Sequence, residues 1–369
     1  MPGARTYGPS VRDDGVASAD PGQQPAEHRA RRLWRALEPY HTVVYFAPES
    51  QAACTGLGTR GYWMSYFALR AAPLGAAPPE LITAVFYGFA PRLVARAVPD
   101  TWKVASPQRF LATRLEAVDT ALHRLLGSDV LRSPAVAEAA ALAREAALAA
   151  PTAGRPLGAA NAALPWPEPP HLVLWHAQTV LRELRGDGHV AALLTAGLDP
   201  VESLVLFAAD IAMDPDWMRT RRGWTEDEWA AAVARLAGRG LLNGGGALTA
   251  AGRALRTAVE ERTDALADVP VAALGDDRAA RLAELVTPLV RAILAGDGAL
   301  TAAGRALRSA VEERTDALAD APVTALGDVR AARLAELVTP LVRAILAGDG
   351  FMRDNPMGLQ PLPSAVARA

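Results

Sequence analysis

Residues 225–255 read TEDEWAAAVARLAGRGLLNGGGALTAAGRAL, and the order of parts within them decides the fold. Thr225 followed three residues later by Glu228 forms a capping box, so a helix opens there. Gly240 can take the left-handed conformation that ends a helix. Leu241-Leu242 can pair as a short strand with Ala247-Leu248, with Gly244–Gly246 at the tip. Thr249 then caps a further helix.

Working outward, the same grammar of helix starts recurs. Ser106-Pro107, Ser133-Pro134, Asp199-Pro200 and Asp214-Pro215 each place a capping side chain before a proline at the first helical position. Alternating strand patterns are nearly absent, so the chain reads as mostly α. The order PPELITAVFYGFAP (78–91), PDTW (99–102) and a Ser106-capped helix also parallels DPVESLVLFAAD (199–210), PDW (215–217) and the Thr225-capped helix. The two stretches read as degenerate copies of one helical module.

In residues 199–255, "L..RGLL" is carried by Leu236, Arg239, Gly240, Leu241 and Leu242. Leu248, Thr249, Gly252 and Leu255 supply "LT..G..L". This resembles a MarR-type winged helix-turn-helix. The blocks HTVVYFAPES (41–50), RGYWMSYFALRAAPLG (60–75), NAALPWP (161–167) and LWHAQTVLRELRGDGHVAALL (174–194) extend the likeness over roughly 30–298. Together they are similar to a family of actinobacterial helix-turn-helix proteins. The resemblance implies a helical bundle with a winged helix-turn-helix (a short β-wing) and C-terminal helical hairpins. It implies DNA binding, transcription regulation and a homodimer formed through terminal helices, and it implies no substrate.

A tandem repeat follows. Residues 247–298 recur at 299–350 with four differences, Thr257/Ser309, Val269/Ala321, Ala272/Thr324 and Asp277/Val329, so 48 of 52 positions match. Such identity marks a recent duplication, not a solenoid of degenerate units. Each unit offers two amphipathic helices, about 250–266 and 276–294. Leu255, Val259 and Leu266 fall on one face of the first; Leu282, Leu285, Leu289 and Ile293 line the second. The expected organisation is a disordered tail (1–28) and an aromatic-rich helical domain (29–150). A winged-helix domain with C-terminal helices (151–298), the duplicate (299–350) and a second tail (351–369) complete it. Of 21 aromatics, 13 lie between Trp34 and Phe110 and none in 247–350. That concentration could line a pocket for a small apolar effector, or simply fill a core.

Composition excludes several classes. The 369 residues carry 38 basic and 40 acidic groups and 51% hydrophobic residues, ample for a core and too neutral for whole-protein attraction to nucleic acid or membrane. Cys54 stands alone, which excludes a disulfide scaffold and a Cys-based zinc site. No long uncharged apolar run suggests a membrane span, and the start is not a secretory signal, so the expected location is cytoplasmic. Lys103 is the only lysine and alanines number 80, a bias that makes the arginine excess a weak sign of phosphate binding. No GxxxxGK[ST], GxSxG or HExxH occurs, so no catalytic residues, cofactor or metal are assigned and the chain reads as a non-enzyme.

DNA contact falls to Arg219, Arg221, Arg222, Arg235 and Arg239. Against it, the Thr225 helix begins Glu226-Asp227-Glu228, residues 214–240 hold five basic and five acidic groups, and Asn243–Gly246 carry no cation. The second reading is therefore a small-molecule-binding protein that keeps the winged helix as scaffold. Candidate ligand residues are His41, Tyr45 and Glu49, at intervals of four though Pro48 can start a new helix, with Arg60, Tyr62, Trp63, Tyr66 and His189. Arg185-Gly186-Asp187-Gly188-His189 reads as a turn between helices.

Overall fold

The computed structural model describes residues 27–295. Nearly all of the first expected tail, the whole of the second and the repeat copy at 299–350 lie outside the described residues.

Helices α1 (Arg29–Phe46), α2 (Pro48–Leu57) and α3 (Gly61–Ala71) come first. A 3-10 turn at Ala72–Leu74 leads into the short α4 (Pro79–Phe86), α5 (Pro91–Ala97) and α6 (Asp100–Val104). Two long helices, α7 (Pro107–Leu126) and α9 (Pro134–Leu148), bracket the one-turn α8 (Ser128–Leu131). Then follow α10 (Pro156–Ala162), α11 (Pro170–Thr195), α12 (Pro200–Asp210), α13 (Pro215–Arg222) and α14 (Glu226–Gly238). The last are α15 (Ala250–Leu266), α16 (Asp268–Leu274) and α17 (Asp276–Ala295). The caps stand where the sequence puts them. Ser106, Ser133, Asp199, Asp214, Thr225 and Thr249 each accept a backbone N–H of the helix they open, and Asp199/Glu202 and Thr225/Glu228 close full capping boxes.

Where a β-wing is expected, the described residues hold one antiparallel bridge, Leu242 with Leu248, and no strand. The Asn243 N–H donates to the Ala247 carbonyl (2.9 Å) and the Thr249 N–H to the Leu241 carbonyl (3.0 Å). Arms of two residues around three glycines are too short, and glycine too poor a strand former, to extend the ladder further. The Gly252 of "LT..G..L" has a physical reason. A Cβ there would lie 2.1 Å from the Leu241 carbonyl oxygen, so only glycine lets α15 pass under the hairpin.

The expected turn at 185–189 is overturned, because these residues lie inside the unbroken helix α11. Neither Gly186 nor Gly188 takes a positive φ. Glycine inside a helix costs about 1 kcal/mol against alanine, and at Gly188 close packing offsets it. A Cβ on Gly188 would sit 3.2 Å from Leu266 Cβ and 2.2 Å from Arg155 Nη1, so the glycine lets α15 cross α11 closely. Asp187 does cap a helix start, but across the bundle. It accepts the Gly158 N–H at 2.8 Å, in the first turn of α10.

Helix α11 is the axis. Its segment from His171 to Val180 is buried on every side, as a helix enclosed by others must be. The largest core gathers α1, α7, α9, the first half of α11, α16 and α17, with members from Ala30 to Ile293, so residues on both sides of position 150 share it. A second core joins the end of α11 to α12–α15 and to Leu241, Leu242 and Leu248. The third is aromatic: Phe67, Phe86 and Phe89 are buried among α3, α4 and α5, with Trp63 and Tyr66 against them. On α17, Leu282, Leu285, Leu289 and Ile293 are all buried as expected. On α15 the expected apolar face is incomplete: Val259 is buried, but so are Arg256, Thr263 and Asp264, while Leu255 and Leu266 are only partly covered.

The two proposed module copies touch one another. In chain order α4 and α6 correspond to α12 and α13, with α5 interposed in the first stretch. The Ala90 N–H donates to the Arg222 carbonyl (2.9 Å), and Trp224 Nε1 donates to the Gly88 carbonyl (3.1 Å).

Candidate nucleic-acid interface and ligand cavity

Helices α13 and α14 are joined through Gly223, whose φ of 78° and close approach to Leu93 both require glycine. Trp229, Ala232 and Leu236 point α14 into the core. Its outward face carries Glu226, Asp227, Ala230, Ala231 and Ala234. Glu228 does not face solvent freely: Arg92 donates to it at 2.8 Å and 2.5 Å, and this pairing, with the Thr225 cap, holds its carboxyl down at about 2.

The five candidate arginines are mostly occupied. Arg219 pairs with Asp216 (3.0 Å) and reaches the Trp224 carbonyl. Arg235 bonds Asp199 (2.5 Å) and Glu202 (3.0 Å), tying α14 to the start of α12. Arg239 contacts Glu202 (3.4 Å) and the Gly197 carbonyl (3.0 Å). Arg222 turns inward over the Phe89 ring, 4.5 Å from its centroid, and burial lowers its pKa. Arg221 is exposed and stands 5.6 Å from the Trp217 ring. Sequence reading could not see these pairings, because Asp199 and Glu202 lie over thirty residues from Arg235.

Of the ligand candidates, His41 and Tyr45 are brought together, their ring centroids 5.3 Å apart, and the set as a whole is dispersed. Tyr45, Tyr62, Trp63 and Tyr66 join one ring network; Tyr45 and Tyr66 are 5.0 Å apart, and Trp63 is 5.5 Å from Phe89. Glu49, on α2, pairs with Arg124, and Arg60 is exposed beside Asp100 at 3.3 Å. His189 Nδ1 meets Thr263 Oγ1 at 2.9 Å between α11 and α15. His41 alone of these candidates lines the cavity described next.

A narrow cavity of about 30 Å³ lies between α1, α11 and α16. Its walls include Leu33, Leu37, Leu181 and Val271, and the Trp34 ring. His41 and Gln178, each 1% exposed, also line it. His41 Nε2 and both amide atoms of Gln178 have no hydrogen-bond partner. Burial, reinforced by the nearby Arg182 charge, lowers the His41 pKa well below its ordinary value, so the ring is neutral. Gln178 was missed by sequence reading, because a glutamine in a buried helix has no spacing signature.

Behind the cavity lies a buried ion cluster. Arg70 donates to Glu183 through two bonds of 2.9 Å, and Arg182 donates to the same carboxylate at 3.0 Å. Burial would raise the Glu183 carboxyl; the two guanidinium groups overcome it and hold the group well below the usual carboxylate range. A separate trio, Asp119 and His123 on α7 with His171 on α11, brings its ligand atoms within 4.8 Å of one another. His171 Nε2 meets Asp119 at 2.6 Å. That donor set is of a kind that can hold a divalent transition metal. Asp119 and His123 share the i,i+4 spacing of one helix face, but His171 is distant in sequence.

No single helix among the described residues is long and apolar enough to cross a membrane. A model of a helix-turn-helix family matches residues 30–299 and, again, 291–352, a stretch that contains the repeated segment. No curated protein and no solved structure matches the chain.

Proposed function

The chain belongs to this helix-turn-helix family, and on that premise we propose that it is a DNA-binding transcriptional regulator of MarR-like, winged type. The observation that carries the reading is the order α13, Gly223 turn, α14, hairpin, α15, with α14 offering one uncovered face and the Leu242–Leu248 bridge standing where a wing would be. Ala230, Ala231 and Ala234 on that face allow close approach to a groove and apolar contact with thymine methyls. Phosphate contact would come from Arg221, with Arg219, Arg235 and Arg239 at the edge. Arg222 would contribute only by leaving Phe89.

The test is binding to mixed-sequence duplex DNA across a salt series. A regulator loses affinity steeply as salt rises, in proportion to the phosphates it neutralises. Absence of binding at low salt sinks the reading.

A second reading is favoured by one observation: Arg219, Arg235 and Arg239 are paired with carboxylates of this chain and Arg222 lies over an aromatic ring. On that reading the helix-turn-helix is a scaffold and the chain binds a small molecule. A response of the DNA-binding form to a ligand would unite the two.

A further inference from the structure

We propose that Asp119 and His123 on α7 and His171 on α11 form a solvent-open site for a divalent transition metal of the zinc class. The metal ties the last turns of α7 to the first turn of α11. The inference stands whether or not α14 touches DNA.

The helices place the donors. Asp119 and His123 are four residues apart on α7, so one helix face carries both. The neighbouring Val118, Ala121 and Leu122 are buried and seat that helix in the core. His171 lies in the first turn of α11, and its carbonyl accepts the Tyr40 hydroxyl at 3.2 Å, which fixes it against α1. One oxygen of Asp119 and one nitrogen from each ring lie within 4.8 Å of one another. His171 Nε2 stands 2.6 Å from Asp119 Oδ1. His123 Nδ1 stands 3.3 Å from the same oxygen and 3.0 Å from the Asp119 carbonyl, a backbone bond it gives up if Nδ1 ligates and keeps if Nε2 does. A tetrahedral zinc with bonds of about 2.1 Å holds its donors about 3.4 Å apart, so side-chain rotations suffice to close the shell. His171 is the fixed member, with 9% of its side chain exposed; His123 and Asp119, at 41% and 42%, have room to adjust.

The donor set selects the metal. Two imidazoles and one carboxylate suit zinc, cobalt and nickel, whereas magnesium and calcium take oxygen donors. A proton now bridges His171 Nε2 and the Asp119 carboxylate; a bound metal takes its place, and that proton leaves to solvent. Arg124, next to His123 in the chain, is paired with Glu49. Three protein donors leave a coordination position for water, and the exposure of Asp119 and His123 gives the ion a way in. Competing groups are few. Cys54, His41 and His176 are buried, and His189 meets Thr263. His28 is another open imidazole, 3.9 Å from Asp268, but among the described residues it belongs to no such cluster.

The test uses the full chain, stripped of metal with a chelator and titrated with Co2+, Zn2+ and Mg2+. The proposal expects saturable, stoichiometric Co2+ binding with the visible absorption of a four-coordinate site, displacement by Zn2+ and none by Mg2+. The melting temperature should rise with Zn2+, since the metal binds the folded state. Asp119→Asn, His123→Gln and His171→Gln should each weaken Zn2+ binding by about tenfold or more, while His28→Gln leaves it unchanged. Asp119 and His123 are partly exposed, so their variants keep the fold, which the metal-free melting temperature checks. The proposal is overturned if Co2+ does not bind stoichiometrically, or if Mg2+ displaces it as well as Zn2+ does. It is overturned equally if Asp119→Asn and His123→Gln bind Zn2+ like the wild type, or if His28→Gln loses as much affinity as they do.

Discussion

Arg70 on α3 and Glu183 on α11 grip one another through two bonds of 2.9 Å, with only 10% and 2% of their side chains exposed. Arg182 shares the carboxylate, so one acid balances two bases in the interior. Glu183→Gln leaves two buried guanidinium groups short of charge, and such a break costs about 3–5 kcal/mol. Chemical unfolding should show that loss, whereas Glu138→Gln, which breaks a surface pair with Arg281, should leave the midpoint near wild type.

The same carboxyl sets an acid limb. Its folded pKa lies below the ordinary 4.5, so its stabilising contribution is complete above that value and is lost as pH falls through the folded one. Asp187 has the opposite sign. Burial first of all raises it to about 6 from 3.8, so the folded state favours its protonated form. As pH falls from 6 to 4 the wild type should therefore gain stability relative to Asp187→Asn. A constant difference across that window would contradict the assignment.

Gly186 and Gly188 should behave as helix residues with different neighbours. A Cβ on Gly186 meets only Glu183 Oε2, at 3.7 Å, so Gly186→Ala should stabilise by about 0.5–1 kcal/mol through helix propensity. Gly188→Ala pushes against Leu266 at 3.2 Å and should destabilise by about 1–3 kcal/mol. Both variants losing stability alike would argue for a turn.

The candidate arginines divide by what they already hold. Arg221→Ala should weaken DNA binding and reduce the salt slope by about one, with no change in melting temperature. Arg235→Ala should lower the melting temperature, since it unties α14 from Asp199 and Glu202. If Arg221→Ala leaves DNA affinity intact, α13 does not face the duplex.

The repeat makes a prediction of its own. All four positions that differ between the copies, Thr257, Val269, Ala272 and Asp277, are exposed in the first copy. Those that dock it are identical: Arg29 reaches Asp268 and Asp276, Arg278 reaches Glu145, and their counterparts at 320, 328 and 330 are unchanged. Deleting 247–298 or 299–350 yields chains that differ only at those four positions. Both should fold, with closely similar melting curves; unfolding of either would refute their equivalence.

What was legible in the sequence was local. Capping side chains before prolines gave helix starts, and "RGLL…LT..G" gave the hairpin between α14 and α15. What was not legible was pairwise and distant. Glycines at 186 and 188 mimic a turn until Leu184 meets Gly158 and Leu266 meets Gly188. The arginines read as available until Asp199 and Glu202 are brought beside them, and Gln178 gives no pattern at all. His41 was found by its chemistry, but its grouping with Glu49 was broken by the new helix at Pro48.

Helix α15 is capped by Thr249, bonded to the hairpin carbonyls of Gly240 and Leu241, and ends at Leu266, just before Ala267 in the cavity wall. At about 1.5 Å per residue, its 17 residues make a rigid rod. Its far end is pinned by Asp264 to Arg31 and Arg185. The tilt of the hairpin is therefore fixed from the opposite end of the bundle, through ties to α1 and α11.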